Sequence, residues 1–405
     1  MKKKILAILT ALLLTGCSSL ENAETVQPPS QTDITTQAAT VTELSEIETM
    51  PPETTEEIPE VKPKETHTIS FCAVGDNLIH SPIYRQAQKA EGYDFSAAYS
   101  GVKDIIENAD LAVINQETLI CNDMYEPSNY PRFNSPAALG DYMTELGFDV
   151  FTLANNHCLD YGEEGLSYSL DYWESRKALT AGVYRNEEDK SHIRTGEFGG
   201  ITFSFLSYTE SLNGLYLPST SEMVIGDVND LEGMLADIRA AKEISDVCVV
   251  ALHWGVEGSG IIEEWQREYA AKLAEAGADI IIGNHPHVLR DIEMIEREGN
   301  DAVCAYSLGN FISAQNVGTN LISGILEFNV TYTEGDSTPV ISDVRLTPIV
   351  THYDNGYANL RLYKLSDYTP ELAAAHGVHS YSSFGYDFIV EKLKGAVDER
   401  FLDFE

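Results

Sequence analysis

The sequence predicts an α/β fold in which central β-sheets are flanked by helices. Short and almost wholly apolar runs recur from residue 68 onward, and such runs are typical of strands that are covered on both faces. Segments with apolar side chains at helical spacing lie between these runs. Because strands that alternate with helices build layered α/β domains, we predict such a domain for most of the chain.

The predicted elements follow from these two patterns. The strand-like runs are Thr68–Val74, Leu111–Asn115, Val150–Ala154, Ile201–Tyr208, Val247–Leu252, Ile280–Gly283 and Ala302–Leu308. The helical patterns are Pro136–Leu146, Glu164–Arg176, Asp230–Lys242 and Glu263–Ala276. Beyond Phe311 the pattern changes, because Ile322–Tyr332 and Val340–Val350 alternate polar and apolar residues around a turn. This alternation predicts a C-terminal antiparallel β-hairpin.

The charge of the chain excludes several classes of function. The 405 residues include 26 Lys and Arg against 64 Asp and Glu, which gives a net charge of −38. A nucleic-acid-binding protein needs a basic surface, and this chain is strongly acidic. A phosphate or carboxylate substrate would therefore need a local positive centre, such as a metal ion.

The first residues have the pattern of a targeting segment. Three lysines precede a ten-residue apolar run, residues 5–14, which is typical of a secretory signal and too short to span ~30 Å of hydrocarbon. The run ends in Leu14-Thr15-Gly16-Cys17, which resembles the lipobox of bacterial lipoproteins. The resemblance implies cleavage before Cys17 and a diacylglyceryl thioether on its sulfur. A plain signal peptide with a coincidental cysteine is the alternative.

Composition divides the chain into four parts. Residues 1–16 form the predicted signal peptide, and residues 17–66 comprise the lipidated Cys17 and an acidic linker rich in Thr, Pro and Glu. Such a linker cannot bury enough apolar surface to fold. The α/β domain is predicted for residues 67–350, and a C-terminal extension with weak helical signals for residues 351–405. We expect the mature protein outside the cytoplasm, anchored to the cell membrane as a lipoprotein.

Polar clusters follow six of the predicted strands. These clusters are Gly75-Asp76-Asn77, Asn115-Gln116-Glu117, Asn155-Asn156-His157, His253-Trp254-Gly255, Gly283-Asn284-His285-Pro286-His287 and Ser307-Leu308-Gly309-Asn310-Phe311. In α/β sheets, ligands bind outside the carboxyl ends of the strands. We therefore expect the six clusters to meet at one edge of the fold.

The side chains in these clusters are oxygen and nitrogen donors suited to a metal site. The candidate ligands are Asp76, Glu117, Asn156, His253, His285 and His287, with His80 as a further candidate. Mixed carboxylate, amide and imidazole donors suit Mn, Fe, Zn or Ni. Pro286 fixes the backbone between two imidazoles, which then project in different directions, as two adjacent ions would require. Each motif alone also fits a cap, a turn or a buried histidine, so the indication comes from all six together.

In this order the motifs resemble those of the CapA family. These are poly-γ-glutamate capsule biosynthesis proteins within the calcineurin-like metallophosphoesterase superfamily, and the resemblance covers residues 68–315. It implies a layered metallophosphoesterase-like fold that holds two divalent metal ions. The resemblance also implies a role for each residue. Asp76 and His287 would be ligands of the first metal, and Glu117 would bridge the two metals. The second metal would be bound by Asn156, His253 and His285, and the proton donor would be His157.

Other residues of the same motifs are expected around these ligands. We assign substrate-binding or supporting roles to Asn115, Asn155, Asp160, Glu257 and Asn310. One position departs from the superfamily pattern, because Leu78 stands where a histidine usually follows the first aspartate by two residues. His80 is the candidate that could substitute for that missing ligand.

Three functions remain open from the sequence. The first is a membrane-anchored two-metal hydrolase of phosphoesters that acts in capsule synthesis. The second is a non-catalytic component that binds polymer or export partners in a poly-γ-glutamate synthetase complex, together with its membrane subunits. The third is a metal-dependent γ-glutamyl amide hydrolase that trims polymer. Nucleic acid is not expected as a partner in any of them.

The lipobox-like motif makes a testable prediction. Replacement of the lipidated sulfur in Cys17→Ser should move the protein from the membrane fraction to the soluble or secreted fraction, as measured by fractionation and immunoblotting. Ser30→Ala in the predicted linker is the control and should stay with the membrane. Retention of Cys17→Ser on membranes after a high-salt wash would contradict the lipoprotein hypothesis.

Overall fold

The computed structural model describes residues 64–404. The predicted signal peptide, the lipidated Cys17 and nearly all of the predicted linker lie outside the described residues. Within residues 64–404, no helix combines the length and the apolar character that crossing a membrane requires.

Residues 64–404 contain fifteen strands and ten α-helices. The strands are β1 (Thr66–Asp76), β2 (Leu111–Asn115), β3 (Val150–Thr152), β4 (Leu179–Ala181), β5 (Val183–Tyr184), β6 (Arg194–Phe198), β7 (Ile201–Thr209), β8 (Val224–Ile225), β9 (Val247–His253), β10 (Ile280–Asn284), β11 (Ile292–Ile295), β12 (Ala302–Ala305), β13 (Ile322–Thr333), β14 (Val340–Asp354) and β15 (Ala358–Lys364). The α-helices are α1 (Ser81–Ala87), α2 (Ser96–Tyr99), α3 (Lys103–Asn108), α4 (Ala137–Leu146), α5 (Gly162–Arg176), α6 (Glu187–Ser191), α7 (Leu231–Lys242), α8 (Glu264–Ala276), α9 (Pro370–Ala375) and α10 (Tyr386–Ala396).

The strands form two large sheets and one small one. The first sheet has seven strands in the order β15-β14-β13-β1-β2-β3-β4, and the second has six in the order β11-β12-β10-β9-β7-β6. Strands β1 to β4 are parallel, as are β7, β9, β10 and β12, whereas β13, β14 and β15 are antiparallel. The layered α/β prediction and the predicted hairpin of β13 and β14 are both confirmed.

The apolar runs of the second sheet are explained by burial on both of its faces. Along β9, Val247 and Val249 contribute to the core shared with the first sheet, whereas Cys248, Val250 and Leu252 face a second core. Helices α7 and α8 cover that second core. Because side chains alternate between the faces of a strand, a strand between two cores must be apolar at every position.

The C-terminal residues belong to the same sheet and core. The predicted boundary at residue 350 falls inside β14, and β15 continues the first sheet. Leu360 and Leu362 of β15 and Ile389 and Leu393 of α10 are buried in the core that contains β1. The segment after residue 350 therefore packs as a part of the domain, with helices and a strand that the weak sequence signals did not specify.

A close backbone contact fixes where the two halves of the site meet. The N–H of Asp76 donates to the carbonyl of Gly309 at 2.9 Å, which joins the end of β1 to the chain that follows β12. A Cβ atom at Gly75 would lie 1.9 Å from that carbonyl oxygen. Only glycine allows this approach, so Gly75 sets the position of Asp76.

We predict that Gly75→Ala disrupts this contact. Because the added methyl overlaps backbone rather than a flexible side chain, the free energy of unfolding should fall by about 1–3 kcal/mol. Chemical denaturation measures this change. Gly395→Ala, on α10 with open space around it, is the control and should be neutral or stabilising by about 0.5–1 kcal/mol. Equal stability of Gly75→Ala and wild type would contradict the steric argument.

Candidate metal centre

Several predicted site residues are the last residues of parallel strands. Asp76 and Asn115 end β1 and β2 and are paired just after a β-bulge in β1, and His253 and Asn284 are paired in register at the ends of β9 and β10. The carboxyl ends of two packed sheets therefore supply donors to one edge of the fold. This is the convergence that the positions of the motifs predicted.

One buried group can hold a metal ion. Single donor atoms of Asp76, Glu117 and His287 lie within 4.8 Å of one another, and all three side chains are buried. His287 Nδ1 donates to Asp76 Oδ2 at 3.0 Å, and Asn115 Nδ2 donates to Asp76 Oδ1 at 2.7 Å. Asn115 therefore orients the carboxylate of Asp76, and His287 contacts the same carboxylate from the loop that follows β10.

A second set of donors lies directly beside this group. His253 Nε2 is 3.0 Å from Asn156 Oδ1 and 3.0 Å from His285 Nδ1. Glu117 Oε1 connects the two sets, because it lies 3.8 Å from His253 Nε2 and 3.8 Å from His287 Nε2. The six predicted ligands thus form one continuous cluster around a single carboxylate.

Glu117 shows that these residues fit a cation. Its side chain is fully buried, and neither carboxylate oxygen has a hydrogen-bond partner among residues 64–404. A buried charge without a partner is strongly unfavourable unless a counterion neutralises it. Burial and the nearby charge of Asp76 raise the pKa of Glu117 well above its ordinary value. A divalent cation would neutralise the Glu117 carboxylate, and it would thereby offset both the cost of burial and the repulsion from Asp76.

The imidazoles differ in their protonation. Burial, together with the charge of His285, lowers the pKa of His253 well below its ordinary value, and burial lowers that of His285 to about 4. Burial also opposes protonation of His287, but the charge of Glu117 and the hydrogen bond to Asp76 raise its pKa to about 9. Two of the three imidazoles are therefore neutral at pH 7, the form that ligates metals.

The His-Pro-His segment has an unusual backbone. His285 has φ 95° and His287 has φ 59°, both in a region that non-glycine residues rarely adopt. The two rings are 6.1 Å apart and contact different partners, His253 and Asp76 respectively. Backbone strain of this kind persists where the surroundings enforce it, and it is common at functional sites.

His157 is held beside the cluster by its own set of contacts. Its Nδ1 lies 2.8 Å from Asp160 Oδ2, and its ring packs edge-on against Phe133 at 4.8 Å. The Phe133 N–H donates to the same carboxylate oxygen at 2.6 Å. Asp160 therefore ties the loop of Phe133 to His157 and fixes Nδ1 as the ring nitrogen that faces the carboxylate.

The remaining predicted residues occupy varied positions. Asn155 accepts from the N–H of His157 and donates to the carbonyl of Gln116, so it supports the backbone of the site. Asn310 is buried and donates to the loop after it, while its Oδ1 has no partner within the described chain. Glu257 is exposed, on the loop after β9.

His80 lies beside the metal group rather than in it. Its Nδ1 accepts from the N–H of Ala314 at 3.3 Å, and Phe133 packs edge-on against its ring. Leu78, two residues after Asp76, is buried and apolar and offers no donor. A role for His80 as the substitute ligand stays a prediction.

Two contributing residues were missed from the sequence. Phe133 packs on His157, and Asn213 accepts from Asn156 Nδ2 at 3.4 Å. Both lie on loops without helical or strand periodicity, far along the chain from the side chains that they contact. The sequence therefore held no spacing signal that could have identified them.

The fold and this group of donors define an α/β protein with a buried cluster of residues suited to a divalent metal ion. The chain belongs to the family of bacterial capsule synthesis proteins called PGA_cap, since the model of that family matches residues 70–315. The predicted family membership is thereby confirmed.

Individual relatives agree with this assignment. The PGA biosynthesis protein CapA of Bacillus subtilis (strain 168) is 29% identical over 282 residues, which cover 68% of this chain and 71% of that protein. The capsule biosynthesis protein CapA of Bacillus anthracis is 25% identical over 286 residues, which cover 68% and 67% respectively. A putative 5'-nucleotidase from Staphylococcus aureus, solved with alpha-ketoglutarate, is similar at a TM-score of 0.44 and 16% identity over 69% of this chain and 54% of that chain. This last similarity is weak and concerns the fold alone.

The unpartnered carboxylate makes a prediction for metal binding. Wild-type protein should gain about 3 kcal/mol of stability when Mn²⁺ is present about 100-fold above its dissociation constant. Glu117→Gln should lose most of this gain. In EDTA the variant should be more stable than wild type by about 1–3 kcal/mol, because burying an unpaired carboxylate is costly.

Thermal unfolding with and without metal measures both effects. Glu222→Gln, a charge-removing change at an exposed position, is the matched control and should follow wild type under both conditions. A metal response of Glu117→Gln as large as that of wild type would show that Glu117 does not contact the ion.

Proposed function

We propose that this chain is a divalent-metal-dependent hydrolase of phosphoesters that acts in poly-γ-glutamate capsule synthesis. One observation carries the proposal, namely that Glu117 Oε1 lies 3.8 Å from an imidazole nitrogen on either side, His253 and His287. A carboxylate in that position can serve as a ligand that two cations share. The predicted lipid anchor at Cys17 would place this activity on the outer side of the cell membrane.

The cluster divides naturally into two sets of ligands. Asp76, His287 and Glu117 would hold one ion, and Glu117, Asn156, His253 and His285 the other. Nitrogen and oxygen donors of this kind suit Mn, Fe, Zn or Ni. Such ions polarise a phosphoryl oxygen, lower the pKa of water toward neutrality and offset the negative charge of the ester.

His157 supplies the proton for the leaving oxygen. Asp160 fixes Nδ1 at 2.8 Å, so Nε2 is the atom that can donate. Phe133 packs on one side of the ring and holds its plane. Because the side chain is only 5% exposed, this proton is shielded from bulk water and is delivered to a bound ester.

A second candidate function is supported by the names of relatives. Two Bacillus proteins are named for capsule or PGA biosynthesis, and a Mycobacterium tuberculosis relative, 24% identical over 213 residues that cover 47% of this chain and 53% of that protein, is named a probable polyglutamine synthesis accessory protein. A non-catalytic role, with binding of polymer and of membrane subunits of a synthetase complex, fits these names. A γ-glutamyl amide hydrolase at the same cluster is the other alternative from the sequence.

The mechanism predicts different effects for His157 and for a metal ligand. His157→Asn should keep its metal content but lose phosphodiesterase activity by about 10²–10⁴-fold, with the largest loss for leaving groups of high pKa. His285→Ala should lose metal and activity together. His192→Asn, at an exposed surface position, is the matched control and should behave as wild type. Metal analysis and steady-state kinetics on p-nitrophenyl and alkyl esters measure these effects.

The same variants distinguish the candidate functions. Failure of metal-loaded wild type to hydrolyse any phosphodiester would overturn the proposed activity. Normal polymer output in cells that carry His157→Asn and in cells that carry His285→Ala would then indicate a role that does not use the metal cluster. Loss of γ-glutamyl bond cleavage in the variants, measured by polymer length, would instead favour the amide hydrolase.

A further inference from the structure

A cavity of about 480 Å³ lies between the loop that follows β7 and the segment around β8. Its lining is partly apolar and partly acidic. The side chains that matter for its chemistry are Leu212, Leu215, Leu217, Ile225, Glu210 and Asp227. None of these residues is among the predicted ligands, so the cavity needs its own explanation.

The cavity lies directly beside the cluster. Thr209, which ends β7, is paired with His253, and the N–H of Glu210 donates to the carbonyl of His253 at 2.9 Å. Glu210 Oε2 accepts from the N–H of Gly255 at 2.7 Å. Asn213, on the same loop, accepts from Asn156 Nδ2. The loop that lines the cavity is therefore bonded directly to both His253 and Asn156 of the cluster.

The loop that lines the cavity carries three half-buried leucines that pack against the core, and one exposed tyrosine. Residues 211–217 are all exposed or half-buried, and Tyr216 is 83% exposed. Leu212, Leu215 and Leu217 lie on this loop and line the cavity without being buried. A concave surface that is lined by half-buried apolar side chains and lies beside a polar site is typical of a ligand-binding pocket.

Charge limits what the cavity can bind. Its lining contains the carboxylates of Glu210 and Asp227 and neither lysine nor arginine. The chain as a whole carries a net charge of −38. A second anionic group on a substrate would be repelled here, whereas an uncharged group with an apolar surface would be accommodated.

We propose that this cavity binds an uncharged, largely apolar ester group of the phosphoester substrate. The proposal rests on the phosphoesterase function and specifies its substrate class. The anionic phosphoryl group lies at the cluster, and the organic group lies against Leu212, Leu215 and Leu217. A chain of glutamate carboxylates is excluded from this cavity.

Two probes of equal length test the proposal. Hexyl p-nitrophenyl phosphate and 5-carboxypentyl p-nitrophenyl phosphate share a reporter group and differ by a terminal carboxylate. Metal-loaded wild type should have a kcat/KM at least about tenfold higher for the hexyl probe, since a matched apolar contact discriminates by this order. Equal values for the two probes, or a preference for the carboxylate, would overturn the proposal.

Variants of the cavity lining test whether this cavity causes the preference for the hexyl probe. Leu215→Ser should lower kcat/KM for the hexyl probe about tenfold and leave the carboxypentyl probe nearly unchanged. Asp227→Asn should raise kcat/KM for the carboxypentyl probe about threefold, because it removes one exposed repulsive charge. Ile244→Ser, an exposed apolar position in the turn before β9, is the control and should match wild type. An equal loss for both probes in Leu215→Ser would contradict a binding role for the loop.

A binding measurement separates this proposal from the proposed reaction. If wild type cleaves neither probe, the phosphoesterase function fails, and calorimetric titration of Mn²⁺-loaded protein with hexylphosphonate and 5-carboxypentylphosphonate tests the cavity alone. Tighter binding of hexylphosphonate, weakened in Leu215→Ser, supports the cavity assignment. Equal binding, or binding of neither phosphonate, overturns it.

Discussion

The structure of the site depends on the burial of two carboxylates next to each other. Asp76 is stabilised by Asn115 and His287, but Glu117 has no hydrogen-bond partner within residues 64–404. Two like charges in a low-dielectric interior repel each other strongly. Most of the other donors around the two carboxylates are neutral and do not balance this charge. A bound cation would balance it, and the neutral donors would then serve as its ligands. Protonated His287 supplies part of that balance without metal.

The architecture makes this arrangement possible by joining two parallel sheets at their carboxyl ends. Asp76 comes from the first sheet, and His253 from the second, while Gly75 allows the chain after β12 to pass against β1. The strands that end at or just before the donors are almost wholly buried near those ends, so they hold the start of each donor loop in place. His285 and His287 extend this rigidity into a loop, because their strained backbone permits few alternatives.

The parts of the fold that could be predicted were those with strong periodic or compositional patterns. Fully apolar strands such as β9 and β10 stand out because both faces are covered, and their polar ends then identified His253, His285 and His287. Short edge strands such as β5 and β8 carry no such pattern. The contacts of Phe133 and Asn213 depend on irregular loops that only the folded chain brings close. The C-terminal segment gave weak signals because its core positions are spread over short elements.

Strand β1 also separates the entry of the described chain from the metal ligands. It begins at Thr66, close to the first described residue, and its eleventh residue is Asp76. At about 3.3 Å for each residue, the two ends are about 33 Å apart. Whatever precedes Lys64 is attached at the end of the strand opposite to the donors. The preceding chain therefore joins the domain about 33 Å along β1 from Asp76, so a change made at that junction would alter the entry of the chain without touching the donors.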